Sequence, residues 1–233
     1  MNKKIILILM LSGHSVWSAP FSNLNFESVV QPLTILDPEF RTVPVGQALP
    51  GWQALINGVP MSTVVYNNRS LSGAGVSLYL SGAIQGNYLV KLYSGLTSPL
   101  PTAGNASIAQ TGLIPSDAQS LQLKTGPGPF GGPFIVSIGG STLSMTPVFS
   151  GLNPAMYSGD ISAYAGQVAE LRITVPYDGI APFGQAHTID LDDIQFSTEP
   201  VPEPSVIALL TLAGAALVWR MRRRATSPHS GPS

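Results

Sequence analysis

Most of the chain between residues 60 and 200 is written in short alternating runs of apolar and polar positions. Examples are "STVVYNN", "GVSLYLSG", "GNYLVKLYSG", "SLQLKTG", "PFIVSIGG", "STLSMTPV", "AELRITVP" and "HTIDLDDIQFS", bounded by Gly, Pro, Asn or Ser. A period of two, built from β-branched and aromatic residues and closed by turn residues, predicts antiparallel strands. Nine or ten such strands in about 180 residues predict an all-β fold, an antiparallel β-sandwich of jelly-roll type. No segment sustains a helical period, and "SDAQSL" supplies one turn at most. In "HTIDLDDIQFS", Ile189 and Leu191 share one parity while Ile194 and Phe196 share the other. A β-bulge at Asp192–Asp193 would return all four to the core face, and is expected to turn the acidic pair outward at the sheet rim.

The two ends break this pattern. "MNKKIILILMLSGHSVWSAP" has Lys3 and Lys4, an apolar run from Ile5 to Leu11, then small residues, the layout of a secretory signal peptide. Cleavage after Ser18 places Val16 and Ser18 in the two small-residue positions, leaving residues 1–18 as the signal. At the other end, 199–205 is a Pro/Glu-rich linker, 206–219 an apolar run, and 220–233 a basic cluster with a tail. Fourteen helical residues reach roughly 21 Å, short of a hydrocarbon core of about 30 Å. The run is therefore a short transmembrane helix and a marginal anchor. Arg220, Arg222, Arg223 and Arg224 behind it act as a membrane stop and stay cytoplasmic, leaving the body in 19–198 outside.

Composition narrows the function classes. From Ala19 to Glu199 there are five bases and eleven acids, a net charge of −6 that offers nucleic acid no phosphate-neutralising footprint. Only 10% of all residues are charged, and Gly (24) and Pro (21) are abundant, in keeping with many turns. The absence of cysteine excludes disulfides, a thiol nucleophile and Cys-ligated metals.

The order Val201-Pro202-Glu203-Pro204-Ser205, then a short apolar helix, then an Arg cluster, at the end of a chain that starts with a signal peptide, resembles the PEP-CTERM sorting signal. The resemblance implies recognition at Pro202, Glu203 and Pro204 by an exosortase, a membrane-embedded transpeptidase-like cysteine enzyme of Gram-negative bacteria that make exopolysaccharide. It further implies export through the Sec machinery, transient anchoring in the inner membrane, cleavage near the motif, and transfer to the cell envelope, surface or extracellular matrix. The tail "ATSPHSGPS" departs from the family pattern, which ends close to the arginines. The competing reading is an ordinary single-pass anchor on a proline-rich stalk.

The opening "NLNFESVVQP" and the closing "IDLDDIQFS" resemble jelly-roll domains related to galactose-binding and carbohydrate-binding modules. In several of those, a Phe-Glu near the start and an Asp of the last strand hold a structural calcium. Carried over, the resemblance implies a Ca²⁺ site at Glu27 with Asp192 or Asp193, completed by backbone carbonyls. The plainer alternative is that these acids are solvated or cap turns.

Catalytic chemistry finds little footing. His187 is the one histidine between the two ends, which removes a three-His zinc site, and a Ser-His-Asp triad with Asp178 or Asp160 would rest on it without a G-x-S-x-G elbow. Glu27, Glu39, Asp160 and Glu170 supply carboxylates for a glycosidase pair, but Trp52 is the one Trp left in the body to stack on sugar. "GPGPFGGP" lacks the Lys and helix of a phosphate loop. Tyr66, Tyr79, Tyr88, Tyr93, Tyr157, Tyr164 and Tyr177 offer aromatic faces, though most alternate with aliphatics as packed strand residues do. The sequence thus predicts an exported, non-enzymatic envelope or matrix protein, with polysaccharide as a candidate ligand. The alternative is a polysaccharide-active enzyme on the same scaffold, using a carboxylate pair.

Overall fold

The computed structural model describes residues 19–30, 41–66, 73–80, 82–97, 103–126, 132–149, 155–179 and 185–201. Residues 1–18, expected to be a signal peptide, Glu39, the motif residues Pro202, Glu203 and Pro204, the apolar run, and Arg220, Arg222, Arg223 and Arg224 lie outside them. Among the described residues no helix is long and apolar enough to cross a membrane.

The strands are β1 (Arg41–Pro44), β2 (Gln53–Ile56), β3 (Val59–Pro60), β4 (Thr63–Tyr66), β5 (Gly75–Leu80), β6 (Tyr88–Leu96), β7 (Ala103–Gly104) and β8 (Ala106–Leu113). They continue with β9 (Ser120–Gly126), β10 (Ile135–Ile138), β11 (Ser141–Thr142), β12 (Thr146–Phe149), β13 (Ala155–Asp160), β14 (Val168–Val175) and β15 (Gln185–Ser197). All eight alternating runs fall on strands, and among the described residues helix is confined to single turns at Val45–Ala48 and Ser162–Tyr164. A nine-stranded sheet runs β1-β4-β5-β6-β15-β9-β13-β12, with β7 on β6, and a six-stranded sheet runs β11-β10-β14-β8-β2-β3. Among the named strands, pairing is antiparallel except between β4 and β5, which run parallel. Strands distant in sequence sit side by side, as β15 does between β6 and β9, so the sandwich is closed by long-range pairing.

One continuous core joins the sheets. The nine-stranded sheet supplies Val76, Leu78, Val90, Leu92, Leu121, Leu123, Ile189 and Leu191; the six-stranded sheet faces them with Ile108, Val136, Ile138, Leu171, Ile173 and Val175. Side chains of the other parity point to the outer faces. On β5, β6 and β15 these include a polar row, with Ser77 paired to Lys91 and Lys91 paired to Asp190 across three strands, flanked by Tyr79, Leu89 and Tyr93.

The bulge in β15 forms. Asp193 adopts φ 45° and the register with β9 shifts between Asp192 and Gln195. Ile189, Leu191 and Ile194 are buried, and Phe196 packs against the core from a half-buried position, so the extra residue restores the apolar face. The acidic pair behaves differently from the expectation. Asp192 is 0% and Asp193 5% exposed, because the 82–88 loop folds over the first while Lys124 and Gln195 engage the second.

Candidate functional site: the bulge cleft and its loop clamp

The hydrogen-bond ladder between β6 and β15 runs to Leu191 opposite Val90 and stops there. Beyond it the Asp192 carboxylate takes the place of the missing strand. Its Oδ2 accepts the N–H groups of Ile84 (3.0 Å) and Gln85 (2.8 Å), and its Oδ1 accepts the N–H of Asp193 (2.7 Å). Glu27 grips the same loop from its other end. Oε1 accepts the N–H groups of Asn87 and Tyr88, each at 2.8 Å, and Oε2 accepts Nδ2 of Asn87 at 3.2 Å. Between the two anchors lies Gly86 at φ 75°, where a Cβ would sit 2.5 Å from Glu27 Oε1, so only glycine fits the turn. After the bulge, the Ile194 N–H donates to the Leu24 carbonyl (3.0 Å), which locks the N-terminal segment to the same strand.

Burial holds the Asp192 carboxyl above its ordinary value, against the three backbone donors that lower it, with the Asp193 charge adding to the rise.

Asp193 points elsewhere. Its Oδ2 pairs with Lys124 Nζ at 2.5 Å and its Oδ1 accepts Gln195 Nε2 at 2.7 Å, while Lys124 also donates to Gln85 Oε1 at 3.0 Å. The trio Glu27, Asp192 and Asp193 therefore does not converge on one point. Backbone N–H groups, not carbonyls, are aimed at Glu27 and Asp192, and among the described residues no three acidic or imidazole side chains gather to hold a metal. This donor set fits a loop clamp and does not fit the oxygen shell that the calcium resemblance implies.

Above the clamp the bulge opens a cleft of about 180 Å³ on the outer face of the nine-stranded sheet. Gln122, Lys124, Asp193 and Gln195 line it, with Leu123 and Met156 as its apolar part. Two amides, an ammonium and a carboxylate thus meet on rigid strands, their orientation fixed by the Lys124–Asp193–Gln195 contacts. Such a set exchanges hydrogen bonds with neighbouring hydroxyls, while the Met156 surface accepts C–H groups. Sequence reading singled out Asp193 but not Gln122, Lys124 or Gln195. The signal available was the polar parity of "SLQLKTG" read beside the bulge.

Beside the cleft, Lys91 Nζ contacts Asp190 Oδ1 at 2.5 Å and lies 5.2 Å from the centroid of the Tyr79 ring. Burial, with the charge of Asp190, raises the hydroxyl pKa of Tyr93. Tyr66, Tyr79, Tyr88 and Tyr93 are buried, and Tyr157, Tyr164 and Tyr177 half-buried, so none stands out as an open stacking platform. Trp52 is also a core residue, 4% exposed, tilted against Phe26 and donating Nε1–H to the Asn23 carbonyl (2.9 Å).

The carboxylates weighed for catalysis are scattered over separate tasks. Glu170 binds Arg172 through both oxygens (2.8 and 3.2 Å) on β14, and Asp160 accepts the Ser162 N–H (2.9 Å), which holds its carboxyl below the usual range. His187 does meet Asp178, Nε2 to Oδ2 at 2.6 Å, and its backbone N–H donates to Ser94 Oγ at 3.1 Å. That Ser94 contact goes to the main chain, so it is not the hydrogen bond of a nucleophile to its base.

No curated protein matches the chain. Among solved structures it is similar to TmCBM61, solved in complex with β-1,4-galactotriose, at 14% identity and TM-score 0.37, over 76% of this chain and 97% of that one. It is also similar to the K1 cleaved adhesin domain of Lys-gingipain from Porphyromonas gingivalis W83, at 13% identity and TM-score 0.35, over 67% of this chain and 96% of that one. Residues 200–224 match a family by sequence, the PEP-CTERM protein-sorting motif, which implies export and anchoring in a membrane before processing. The β-sandwich described above is thus the body of a protein that carries a PEP-CTERM protein-sorting signal at residues 200–224.

Proposed function

We propose that this protein is a non-enzymatic component of the cell surface or extracellular matrix that binds neutral polysaccharide in the bulge cleft after an exosortase has cut it from the membrane. The observation that carries the binding reading is the convergence of Gln122, Lys124, Asp193 and Gln195 around an open cleft. Charge narrows the ligand class. Lys124 is matched by Asp193 and Lys91 by Asp190, leaving no unpaired cation in that row for a uronate, while the net charge of −6 from Ala19 to Glu199 repels acidic chains. The scattering of Glu27, Asp160 and Glu170 over separate structural tasks favours binding over hydrolysis, since glycoside cleavage needs two carboxyls facing one bond.

The test is a glycan array with the mature protein, followed by calorimetry on the strongest neutral hit. Lys124→Ala and Gln195→Ala should each weaken binding at least about tenfold, roughly 1.4 kcal/mol. Neutral glycans bound equally well by both variants, or preference for uronate polymers, would remove the cleft from the account. Release of reducing ends during incubation would favour the enzyme reading.

A further inference from the structure

The two ends of the described chain meet at one pole of the sandwich. Leu113 donates its N–H to the Ala19 carbonyl (3.0 Å), Pro20 bridges to Leu113, and the Phe21 ring packs 4.9 Å from Phe196 near the end of β15. Gly112 makes room for this, because a Cβ there would come within 2.9 Å of the Phe21 ring. The outgoing chain is held at the same place, where Gln119 donates its N–H to the Ser197 carbonyl (2.8 Å) and Ser120 Oγ donates to the Glu199 carbonyl (2.6 Å).

Around this exit lies a mainly apolar groove of about 360 Å³, lined by Phe21, Leu24, Leu113, Ile194 and Phe196, with Gln195 as its polar wall. Leu113 is 39% exposed and its cross-strand partner Val168 52% exposed, so the groove continues onto an open apolar edge. Among the described residues, Asp117, Asp160 and Glu199 place acidic side chains at this pole. Lys124 and Arg172 lie four residues up their strands from Ser120 and Val168 and are each paired, with Asp193 and Glu170.

Chain length then decides what this surface meets. Four residues separate Val201 from the apolar run that begins at Val206, and a chain of that length spans at most about 18 Å. A processing enzyme that reads Glu203 has the folded body within one or two residues of its cleft. Acidic side chains around the groove offer lipid headgroups no basic cluster to bind.

From this geometry we infer that the groove around Leu113 and Phe196 is a docking surface for the processing enzyme, which recognises the folded pole through an apolar contact with a cationic rim as well as the linear motif. The inference rests on the sorting reading above.

The test measures processing of the full chain in the native host, as the ratio of precursor to cleaved protein over a pulse-chase. Leu113→Asp with Val168→Asp should slow cleavage at least about fivefold at unchanged melting temperature, both residues being partly exposed. Val59→Asp with Ile135→Asp, at positions 66% and 40% exposed on the opposite pole, should leave it unchanged. Ten Gly/Ser residues inserted between Val201 and Pro202 should also slow cleavage, because the motif is then no longer presented beside the groove. Unchanged cleavage in the Leu113/Val168 variant, or faster cleavage after the insertion, would overturn the inference. A photoreactive phenylalanine analogue in place of Leu113 should crosslink to the transpeptidase, identified by mass spectrometry, whereas adducts to lipid alone would assign the pole to the membrane and overturn it. Cleavage that persists in Glu203→Ala would instead sink the sorting reading itself.

Discussion

The Asp192 carboxylate accepts the Gln85 N–H at 2.8 Å across 107 residues of sequence, continuing by side chain a ladder that the backbone of β6 has left. Glu27 does the same for Tyr88 from the opposite side, and together they fix the loop that covers the bulge.

Removing either anchor should therefore destabilise the fold, and unequally. Asp192→Ala strands three N–H donors beneath a covered site and should cost about 2 to 4 kcal/mol in urea unfolding, whereas Glu27→Ala, at a more open position, should cost about 1 kcal/mol. Because both hold one loop, the double variant should fall short of the sum by about 0.5 kcal/mol or more. Additive losses would mean that the two ends of the loop are independent.

Gly86→Ala probes the same loop from the backbone side. With φ 75° and a Cβ placed 2.5 Å from Glu27 Oε1, it should cost about 2 kcal/mol, and Glu27→Ala should recover part of that loss by clearing the contact. Equal penalties in both backgrounds would show that the strain is conformational alone.

The pH dependence has opposite signs at two aspartates. Burial raises Asp192 above its ordinary 3.8, so the folded protein holds that proton more tightly than the unfolded chain. Its contribution to stability consequently grows as pH falls from neutral through the raised value towards 3.8 and is constant below. Asp160, lowered by the Ser162 N–H, adds stability above 3.8 that is lost as pH falls through its folded value. Carboxyl NMR titration should place Asp192 above and Asp160 below 3.8; the reverse order would contradict the assignment of causes.

Much of the architecture was legible because alternation and turn residues agree along the chain. The bulge could be placed from Ile189, Leu191, Ile194 and Phe196 alone, since a parity change in a strand with one buried face has few other remedies. Strand β8 was harder to see. "ASIAQTGL" is buried on both faces over Ala106–Gln110 and so shows no alternation. What period two cannot reveal is partnership. That Asp192 would be covered by the 82–88 loop, and Asp193 turned to Lys124, depends on which strands lie beside β15, a long-range choice that no local pattern encodes. The same applies to the cleft, whose Gln122, Lys124 and Gln195 are ordinary outward positions until β9 and β15 are paired.

Calcium provides a direct check on the clamp. With backbone N–H groups occupying the inward lone pairs of Glu27 and Asp192, millimolar Ca²⁺ against chelator should shift the melting temperature by no more than about 1 °C. A saturable rise of about 4 °C or more, lost in Asp192→Asn, would show that the two carboxylates close on a cation instead of on the loop.

Where the chain ends in the cell separates sorting from permanent anchoring. Intact-mass spectrometry of the protein recovered from its native host tests this directly. The expected species begins at Ala19, ends near Glu203 and lacks Arg220 to Ser233, and it persists as precursor in Glu203→Ala. A dominant species retaining Arg220 to Ser233 and resident in the inner membrane would contradict it.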